Sequence, residues 1–216
     1  MSNRFDAVMF DLDGTLADTL ADIAAAANHA LGQLGHEPIE LPRYRYLAGQ
    51  GLERLITDSL GPEHAGQIDE GMKLFRAFYA EHGMDQTKPY DGVPELLDEL
   101  VRRKVPLSVL SNKPHPATQT VMEKVFGRWT FDAIFGHRPG APLKPDPASA
   151  LEIAQMLKVE PQHWLYVGDT KVDMETATAA GMFAVGVTWG FRDEPELVAS
   201  GARVIIHEPL ELLAWM

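Results

Sequence analysis

The sequence contains no cysteine, and its 19 basic residues are well outnumbered by 31 acidic ones. The absence of cysteine excludes disulfides, zinc-thiolate sites and a cysteine nucleophile, and it makes a reducing cytoplasm the expected setting. The formal net charge of -12 disfavours nucleic acid and anionic membrane surfaces as partners, because both require basic patches. An anion that binds this protein must therefore be bound by a few local groups.

Long hydrophobic runs are also lacking, and none approaches the length of a membrane span. The N-terminal stretch MSNRFDAVMFDLD is not expected to be a signal peptide, since Asp6, Asp11 and Asp13 interrupt its apolar run. The eight histidines show no metal-binding spacing such as H-E-x-x-H. With 216 residues, 45% of them hydrophobic, the chain can bury a full core as one large domain or as one domain with an insert.

Six short apolar runs predict β-strands, and amphipathic patterns between them predict helices. The runs are continuous, as is typical of strands in a parallel sheet that is covered on both faces. They lie at 7–10, 105–110, 132–136, 164–168, 183–187 and 203–206, with helical patterns at 94–104 and 146–158 among others. This alternation predicts an α/β fold with a doubly wound, Rossmann-like parallel sheet in three layers.

The segment 17–88 interrupts the alternation, because it has no convincing strand and carries three amphipathic patterns instead. It predicts an all-helical insert that leaves the core after the first strand. The stretch TKPYDGVP, rich in turn-forming residues, is the expected return linker. We therefore predict a core domain of residues 1–16 and 89–216 and a helical domain of residues 17–88.

Polar residues follow several of the predicted strands, where an open parallel sheet binds its ligands. They are Asp11, Asp13 and Thr15 after the first strand, Ser111 and Asn112 after the second, Lys144 before a helix, and Asp169 and Asp173 after the fourth strand. The carboxyl ends of parallel strands share one edge, so we expect these side chains to converge there.

Two aspartates so close together in an apolar strand repel each other and favour a bound cation. Asp11 and Asp169, with an oxygen from Asp13, suit an octahedral magnesium ion. An aspartate can also attack phosphorus, so we predict Asp11 as a nucleophile and Asp13 as a general acid and base.

The remaining residues of this group suit a phosphoryl group and its surroundings. Ser111, the backbone amide of Asn112 and Lys144 can hold the phosphoryl oxygens. Thr15 and Asp173 are predicted as supporting residues. Each motif alone has an ordinary structural explanation, such as an Asp-Gly turn or a helix cap. Four motifs in order at successive strand ends favour the catalytic interpretation.

Four stretches of the sequence resemble the motifs of the haloacid dehalogenase superfamily: DLDGT, LSN, LKPDP and GDTKVD. The helical insert resembles the C1-type cap of that family, and RYLAGQG and TWGF are most similar to its phosphoglycolate phosphatase branch. The resemblance implies a magnesium-dependent phosphatase that acts through an aspartyl phosphate on a small phosphate monoester, with 2-phosphoglycolate favoured. It also implies that Asp13 binds the metal through its carbonyl. Thr170 stands where this branch commonly has serine, a mild departure.

Three functional alternatives stay open at this stage. A sugar-phosphate phosphatase or a β-phosphoglucomutase-like phosphotransferase would use the same core, and a phospho-accepting receiver module would share the acids, the lysine and the hydroxyl group. In the cap, Arg45 and Arg54 are candidates for binding a substrate carboxylate, and Gly49 and Gly51 for close backbone approach. The expected partner is a small phosphorylated metabolite, and the expected state is a monomer or a homodimer.

Overall fold

A computed structural model describes residues 5–216 of the protein; residues 1–4, which belong to the predicted core segment 1–16 and to the N-terminal stretch discussed above, lie outside the described residues. The strands are β1 Ala7–Phe10, β2 Ala17–Asp18, β3 Lys88–Pro89, β4 Leu107–Pro114, β5 Ala133–His137, β6 Trp164–Gly168, β7 Phe183–Val187 and β8 Val204–Ile206. The α-helices are α1 Leu20–Gln33, α2 Leu41–Leu47, α3 Leu52–Leu60, α4 Ile68–His82, α5 Val93–Arg102, α6 His115–Phe126, α7 Ala148–Leu157, α8 Lys171–Ala180 and α9 Glu194–Ala199. Short 3-10 helices lie at Pro62–Gln67, Pro161–His163 and Pro209–Trp215.

Six strands form one parallel sheet in the order β5-β4-β1-β6-β7-β8. From β1 the chain builds outward through β4 and β5, and it then returns to add β6 on the other side of β1. The strand order therefore reverses at β1, and a crevice opens there at the carboxyl ends of the strands. The predicted α/β parallel sheet is confirmed.

Helices cover both faces of this sheet, which makes three layers. Successive residues of β1 point to opposite faces, with Val8 and Phe10 in one apolar cluster and Ala7 and Met9 in the other. Helices α5 and α6 pack on the first face, and α7, α8 and α9 pack on the second. Burial on both faces is the physical reason that the strands read as continuous apolar runs.

Along the chain, helices α1 to α4 follow β1 and precede the other five strands of the sheet. They pack around an apolar cluster of their own. Two expectations for this segment are wrong. It begins and ends in a short antiparallel pair, β2 with β3, and it has a further helix, α2. The paired strands are two residues long and α2 buries only Tyr44, so neither leaves a recognisable periodicity. The division into domains 1–16 with 89–216 and 17–88 stays a prediction.

A buried carboxylate holds the loop that follows α4. Asp22 of α1 is 2% exposed, and its oxygens accept hydrogen bonds from the backbone amides of Gln86 and Thr87 and from the Thr87 hydroxyl at 2.7–3.1 Å. We expect Asp22→Ala to lower the free energy of unfolding by about 1–3 kcal/mol, because it leaves two amides without partners. Urea unfolding measures this loss. Glu37→Ala, at an exposed position, is the control, and an equal loss in both variants would contradict the role of Asp22.

Among residues 5–216, we find no helix with the length and apolar character needed to cross a bilayer.

Candidate active site

Two neighbouring strands deliver the first two acids of the site. Asp11 directly follows β1 and Asp169 directly follows β6, and the Asp11 amide donates a hydrogen bond to the carbonyl of Val167 at 2.9 Å. The two aspartates are 5% and 0% exposed. Because β1 and β6 are parallel neighbours at the point where the strand order reverses, their following residues meet in the crevice.

Asp173, in the first turn of α8, completes a cluster of three buried acids. One carboxylate oxygen from each of Asp11, Asp169 and Asp173 lies within 4.8 Å of the others. The second oxygen of Asp173 accepts hydrogen bonds from the amide and the hydroxyl group of Thr170 at 3.1 and 2.6 Å, which forms a capping box. Asp173 thereby starts α8 and still directs an oxygen toward the crevice.

Lys144 is the cation in contact with this cluster. Its ammonium lies 2.8 Å from Asp11 Oδ1, without the angle of a hydrogen bond, and it donates to Asp173 Oδ1 at 2.7 Å and to the Leu110 carbonyl at 3.0 Å. Burial by itself would lower the pKa of Lys144, but the charges of Asp11 and Asp173 raise that pKa well above its usual value. Lys144 is therefore charged at neutral pH.

The carboxylate of Asp169 is held in place by hydrogen bonds and by close packing. Asp169 accepts hydrogen bonds from the Thr15 hydroxyl at 2.9 Å and from the Phe191 amide at 2.7 Å. Both Gly14 and Gly190 press against Asp169 so closely that a Cβ atom at either position would collide with its side chain. The segment TWGF therefore packs on the acid cluster, a role that sequence reasoning did not assign although it singled out this stretch.

Asp13 stands apart from the three acids. Its carboxylate pairs with Lys113, whose ammonium lies 2.9 and 3.1 Å from the two oxygens and 4.7 Å from the centre of the Tyr79 ring. Burial alone would lower the pKa of Lys113, but Asp13 raises it above its usual value. Sequence reasoning missed Lys113, although it directly follows the predicted Ser111 and Asn112 and could have been found by its place at the same strand end.

Asn112 and Ser111 lie at the end of β4, which is longer than the predicted strand 105–110 and includes both residues. The Asn112 side chain accepts from the Lys144 amide at 2.8 Å and donates to the carbonyls of Lys144 and Gly49, each at 3.1 Å. Ser111 Oγ accepts from the Lys113 amide at 3.2 Å. Asn112 thus ties the Lys144 loop to the helical segment.

The structure does not place Arg45 and Arg54, the two predicted arginines, against the acid cluster. Arg45 donates to the carbonyls of Gly190 and Phe191 at 2.6 and 3.1 Å, and Arg54 pairs with Asp58 at an exposed position. By contrast, Gly49 and Gly51 line the same cavity as Asp11, and both adopt positive φ angles. A Cβ atom on Gly51 would lie 3.2 Å from Leu143, so glycine allows a close approach there.

Comparison with known protein families shows which family shares these motifs. The family model of haloacid dehalogenase-like hydrolases matches residues 8–187, which span the helical segment and all four motifs. The chain belongs to this family. The resemblance drawn from the sequence is therefore confirmed.

Individual relatives match nearly the whole of this hydrolase. A phosphoglycolate phosphatase of Pseudomonas putida is 35% identical over 95% of this chain and 78% of its own length, and one of Chromobacterium violaceum is 34% identical over 95% and 94%. A crystal structure of a protein from Lactobacillus delbrueckii subsp. bulgaricus is 30% identical, with a TM-score of 0.92 over 99% of each chain.

The residues of this hydrolase fit the divalent metal that its family uses. Three buried acids face one buried lysine, so the cluster has an excess of negative charge that a cation would neutralise. Burial and the charge of Asp173 raise the pKa of Asp11 well above its usual value and that of Asp169 to about 7. Carboxylate oxygens are the donors that hard divalent cations prefer.

These raised pKa values predict how the metal-free protein responds to pH. An acid with a raised pKa in the folded state favours folding at low pH, and this contribution is lost as the pH rises through the folded-state value. We therefore expect the Tm of the protein in EDTA to fall between about pH 4 and pH 7 through Asp169, and added divalent metal to restore more stability at pH 8 than at pH 5. Scanning calorimetry measures this, and Asp169→Asn should flatten the pH dependence. A Tm that is insensitive to metal at both pH values would contradict the account.

Proposed function

We propose that this hydrolase is a magnesium-dependent phosphatase that cleaves a small phosphate monoester, with 2-phosphoglycolate as the favoured substrate, through a phosphorylated aspartate. The observation that carries the proposal is the position of Asp11. It joins the acid cluster, contacts Lys144, and lines a cavity of about 460 Å³ together with Asp13, Ser111 and Asn112. A carboxylate that contacts a lysine and also lines a substrate-sized cavity suits nucleophilic attack on a phosphoryl group.

The proposed chemistry has two balanced steps. A carboxylate oxygen of Asp11 forms a bond to phosphorus while the bond from phosphorus to the alcohol oxygen breaks, and Asp13, which carries a proton when the ester is bound, gives that proton to the alcohol oxygen. Asp13 then takes a proton from water as the water attacks phosphorus, and the bond to Asp11 breaks. The products are the alcohol and inorganic phosphate, and both carboxylates return to their starting states.

Several groups in this proposal bind rather than react. Three groups hold the phosphoryl oxygens: the Lys144 ammonium, the Ser111 hydroxyl and the backbone amide of Asn112. Asp11, Asp169 and the Asp13 carbonyl would hold magnesium, which neutralises phosphoryl charge when it is bound. Asp173 and Thr15 orient Lys144 and Asp169 through the contacts described above.

The substrate is proposed from two kinds of support. Relatives at 34–35% identity bear the name phosphoglycolate phosphatase. Within the cavity, Lys113 and Arg76 are cations that can pair with the carboxylate of this ester, a role that sequence reasoning gave to Arg45 and Arg54. In the wall of this cavity, Lys113 already forms an ion pair with a carboxylate, that of Asp13.

We further propose that residues 17–88 act as a cap that excludes water from the reaction. The hydrogen bond from Asn112 to Gly49 and those from Arg45 to the 190–191 backbone support this role, because they join helical segment and sheet beside the acids. A cytoplasmic location, and a monomeric or homodimeric state, stay predictions.

The test is a panel of small phosphate monoesters, assayed with and without magnesium, with kcat/KM for phosphoglycolate compared with ethyl phosphate and sugar phosphates. We expect magnesium-dependent release of phosphate with a preference for phosphoglycolate. Preference for a sugar phosphate would favour the alternative substrates, and phosphoryl transfer to a second sugar phosphate would favour a mutase. A stable phosphoprotein with no turnover would contradict the proposal and favour a receiver module.

The lysine in the cavity has its own expected effect. Lys113→Met should lower kcat/KM for phosphoglycolate about 10–100-fold more than for ethyl phosphate, because only the former has a carboxylate to pair with the ammonium. Lys73→Met, at an exposed position on α4, is the matched control. Equal losses for both esters would remove Lys113 from carboxylate binding and leave it the role of positioning Asp13.

A further inference from the structure

The cavity beside Asp11 is larger and more apolar than phosphoglycolate requires. Its volume of about 460 Å³ falls in the range of roughly 300–1,000 Å³ that is typical of pockets for drug-sized ligands. Phosphoglycolate is only a phosphoryl group joined to a two-carbon acid, and it has no apolar part beyond one methylene. A substrate of that size would leave much of the cavity wall without a partner.

Most of the wall away from the acids consists of hydrocarbon. This part of the wall comes from α1, α3, α4 and the loop after α4 on one side and from α6 on the other. We call the part of the cavity that it encloses the apolar chamber. Its large members are Ile23, Leu52, Leu55, Phe75, Tyr79, Met84 and Val121. Along the part of this cavity that the structure describes, the charged residues are Asp11, Asp13, Lys113 and Arg76.

These charges do not make the chamber polar. Asp11 lies at the metal cluster, Asp13 and Lys113 neutralise each other at 2.9 Å, and Arg76 is exposed. The chamber also exists with the helical segment already joined to the sheet, because the contact from Asn112 to Gly49 is made at 3.1 Å. The volume of the chamber is therefore present while the helical segment contacts the sheet.

We propose that the apolar chamber binds the alcohol part of a second class of substrates, phosphate monoesters whose alcohol carries an extended alkyl or aryl group. This inference rests on the proposed phosphatase function, and it adds a substrate class to it. The phosphoryl group lies against Asp11, Ser111 and Asn112, and the hydrocarbon extends along the chamber toward Met84. The chemistry is unchanged: the ester bond from phosphorus to oxygen breaks, and the alcohol leaves with a proton.

A homologous series of n-alkyl phosphates, from ethyl to octyl, tests the proposal without changing the leaving group. All members release a primary alkoxide of similar basicity, so differences in kcat/KM report binding of the chain. We expect kcat/KM to rise about 3- to 4-fold for each added methylene that becomes buried, until the chamber is filled. A flat or falling series would overturn the proposal.

Two variants connect the rise to the chamber. Met84→Gln keeps the shape of a half-buried side chain but makes it polar, so the gain per methylene should fall. Ala117→Leu, on the α6 side of the cavity, should end the rise at a shorter chain. Met156→Gln, at a position 48% exposed on α7, is the control and should leave the series unchanged. A rise that persists unaltered in both chamber variants would place the alkyl group elsewhere and overturn the proposal.

The two proposals fail in different ways. If phosphoglycolate is hydrolysed and the alkyl series is flat, the chamber proposal is wrong and the phosphatase stands. If no ester in either set is hydrolysed with magnesium present, the proposed function itself is wrong, and the chamber proposal fails with it.

Discussion

Asp11→Asn should lower kcat for phosphate-ester hydrolysis by at least about 10⁴-fold. The amide that replaces the carboxylate is a poor nucleophile toward phosphorus, and it also offers the metal a weaker ligand. The fold should persist, because the substitution removes one negative charge from a cluster in which three buried acids repel one another. Steady-state turnover measures the loss of activity, and the Tm measured by calorimetry shows whether the fold persists.

Asp91→Asn is the matched control, since Asp91 is an exposed aspartate in the loop before α5. It should leave kcat within about twofold of the wild-type value, as expected of a surface substitution away from the site. Turnover by Asp11→Asn within about tenfold of the wild-type rate would exclude Asp11 as the nucleophile. A collapse of the Tm would instead mean that the charge of Asp11 is needed to hold Lys144 in place.

Asp169→Asn should raise the magnesium concentration needed for half-maximal activity by about 100-fold or more. Asp169 is fully buried, and its two oxygens are oriented by Thr15 and Phe191, so the carboxylate cannot turn away from the cluster. The asparagine amide lacks the charge, and its nitrogen has no free lone pair for a metal, so the side chain keeps one oxygen donor instead of two. Both magnesium-dependent turnover and calorimetric titration of the metal-free protein with magnesium measure the change.

Asp69→Asn, at an exposed position of α4, controls for loss of charge alone and should leave the magnesium requirement unchanged. If Asp169→Asn also leaves it unchanged, Asp169 is not a ligand, and its role reduces to packing against Gly14 and Gly190. A loss of kcat at saturating magnesium, with the same half-saturation, would indicate that Asp169 acts on the substrate rather than on the metal.

The strand-end residues could be predicted from the sequence because their signal is local. Each lies directly after a continuous apolar run, and the geometry of a parallel sheet carries such positions to one edge whatever the intervening chain does. Asp11 and Asp169 illustrate this: they are 158 positions apart, yet the pairing of β1 with β6 brings their carboxylates within 4.8 Å. The same reasoning predicted the layers of the fold.

Other features depend on tertiary contacts that leave no periodic pattern. The pair β2 with β3 consists of two residues on each side, and the partners are some seventy positions apart, so neither strand reads as one. Arg45 was expected to bind substrate, but a guanidinium group can also donate to backbone carbonyls, and here it donates to the carbonyls of Gly190 and Phe191. Which acceptor an arginine meets is decided by packing.

Lys113 shows a third kind of limit. Its position beside Ser111 and Asn112 was visible, but a lysine in a loop is most often solvated. Only the folded structure brings it into contact with Asp13 and places Tyr79 over it. The apolar chamber is hidden in the same way, because Leu52, Phe75 and Val121 read as ordinary core residues in their separate helices.

The central claim is that the phosphoryl group passes through a covalent bond to Asp11, and one measurement tests it most directly. Asp13→Asn is mixed with para-nitrophenyl phosphate and magnesium, and the reaction is followed by stopped flow and by mass spectrometry after acid quench. This ester needs no proton on its leaving group, whereas the second step still needs a base. The account predicts a burst of about one nitrophenolate per protein molecule, with a phosphoryl adduct on the peptide that contains Asp11. Steady turnover without a burst or an adduct, or an adduct on another residue, would contradict it.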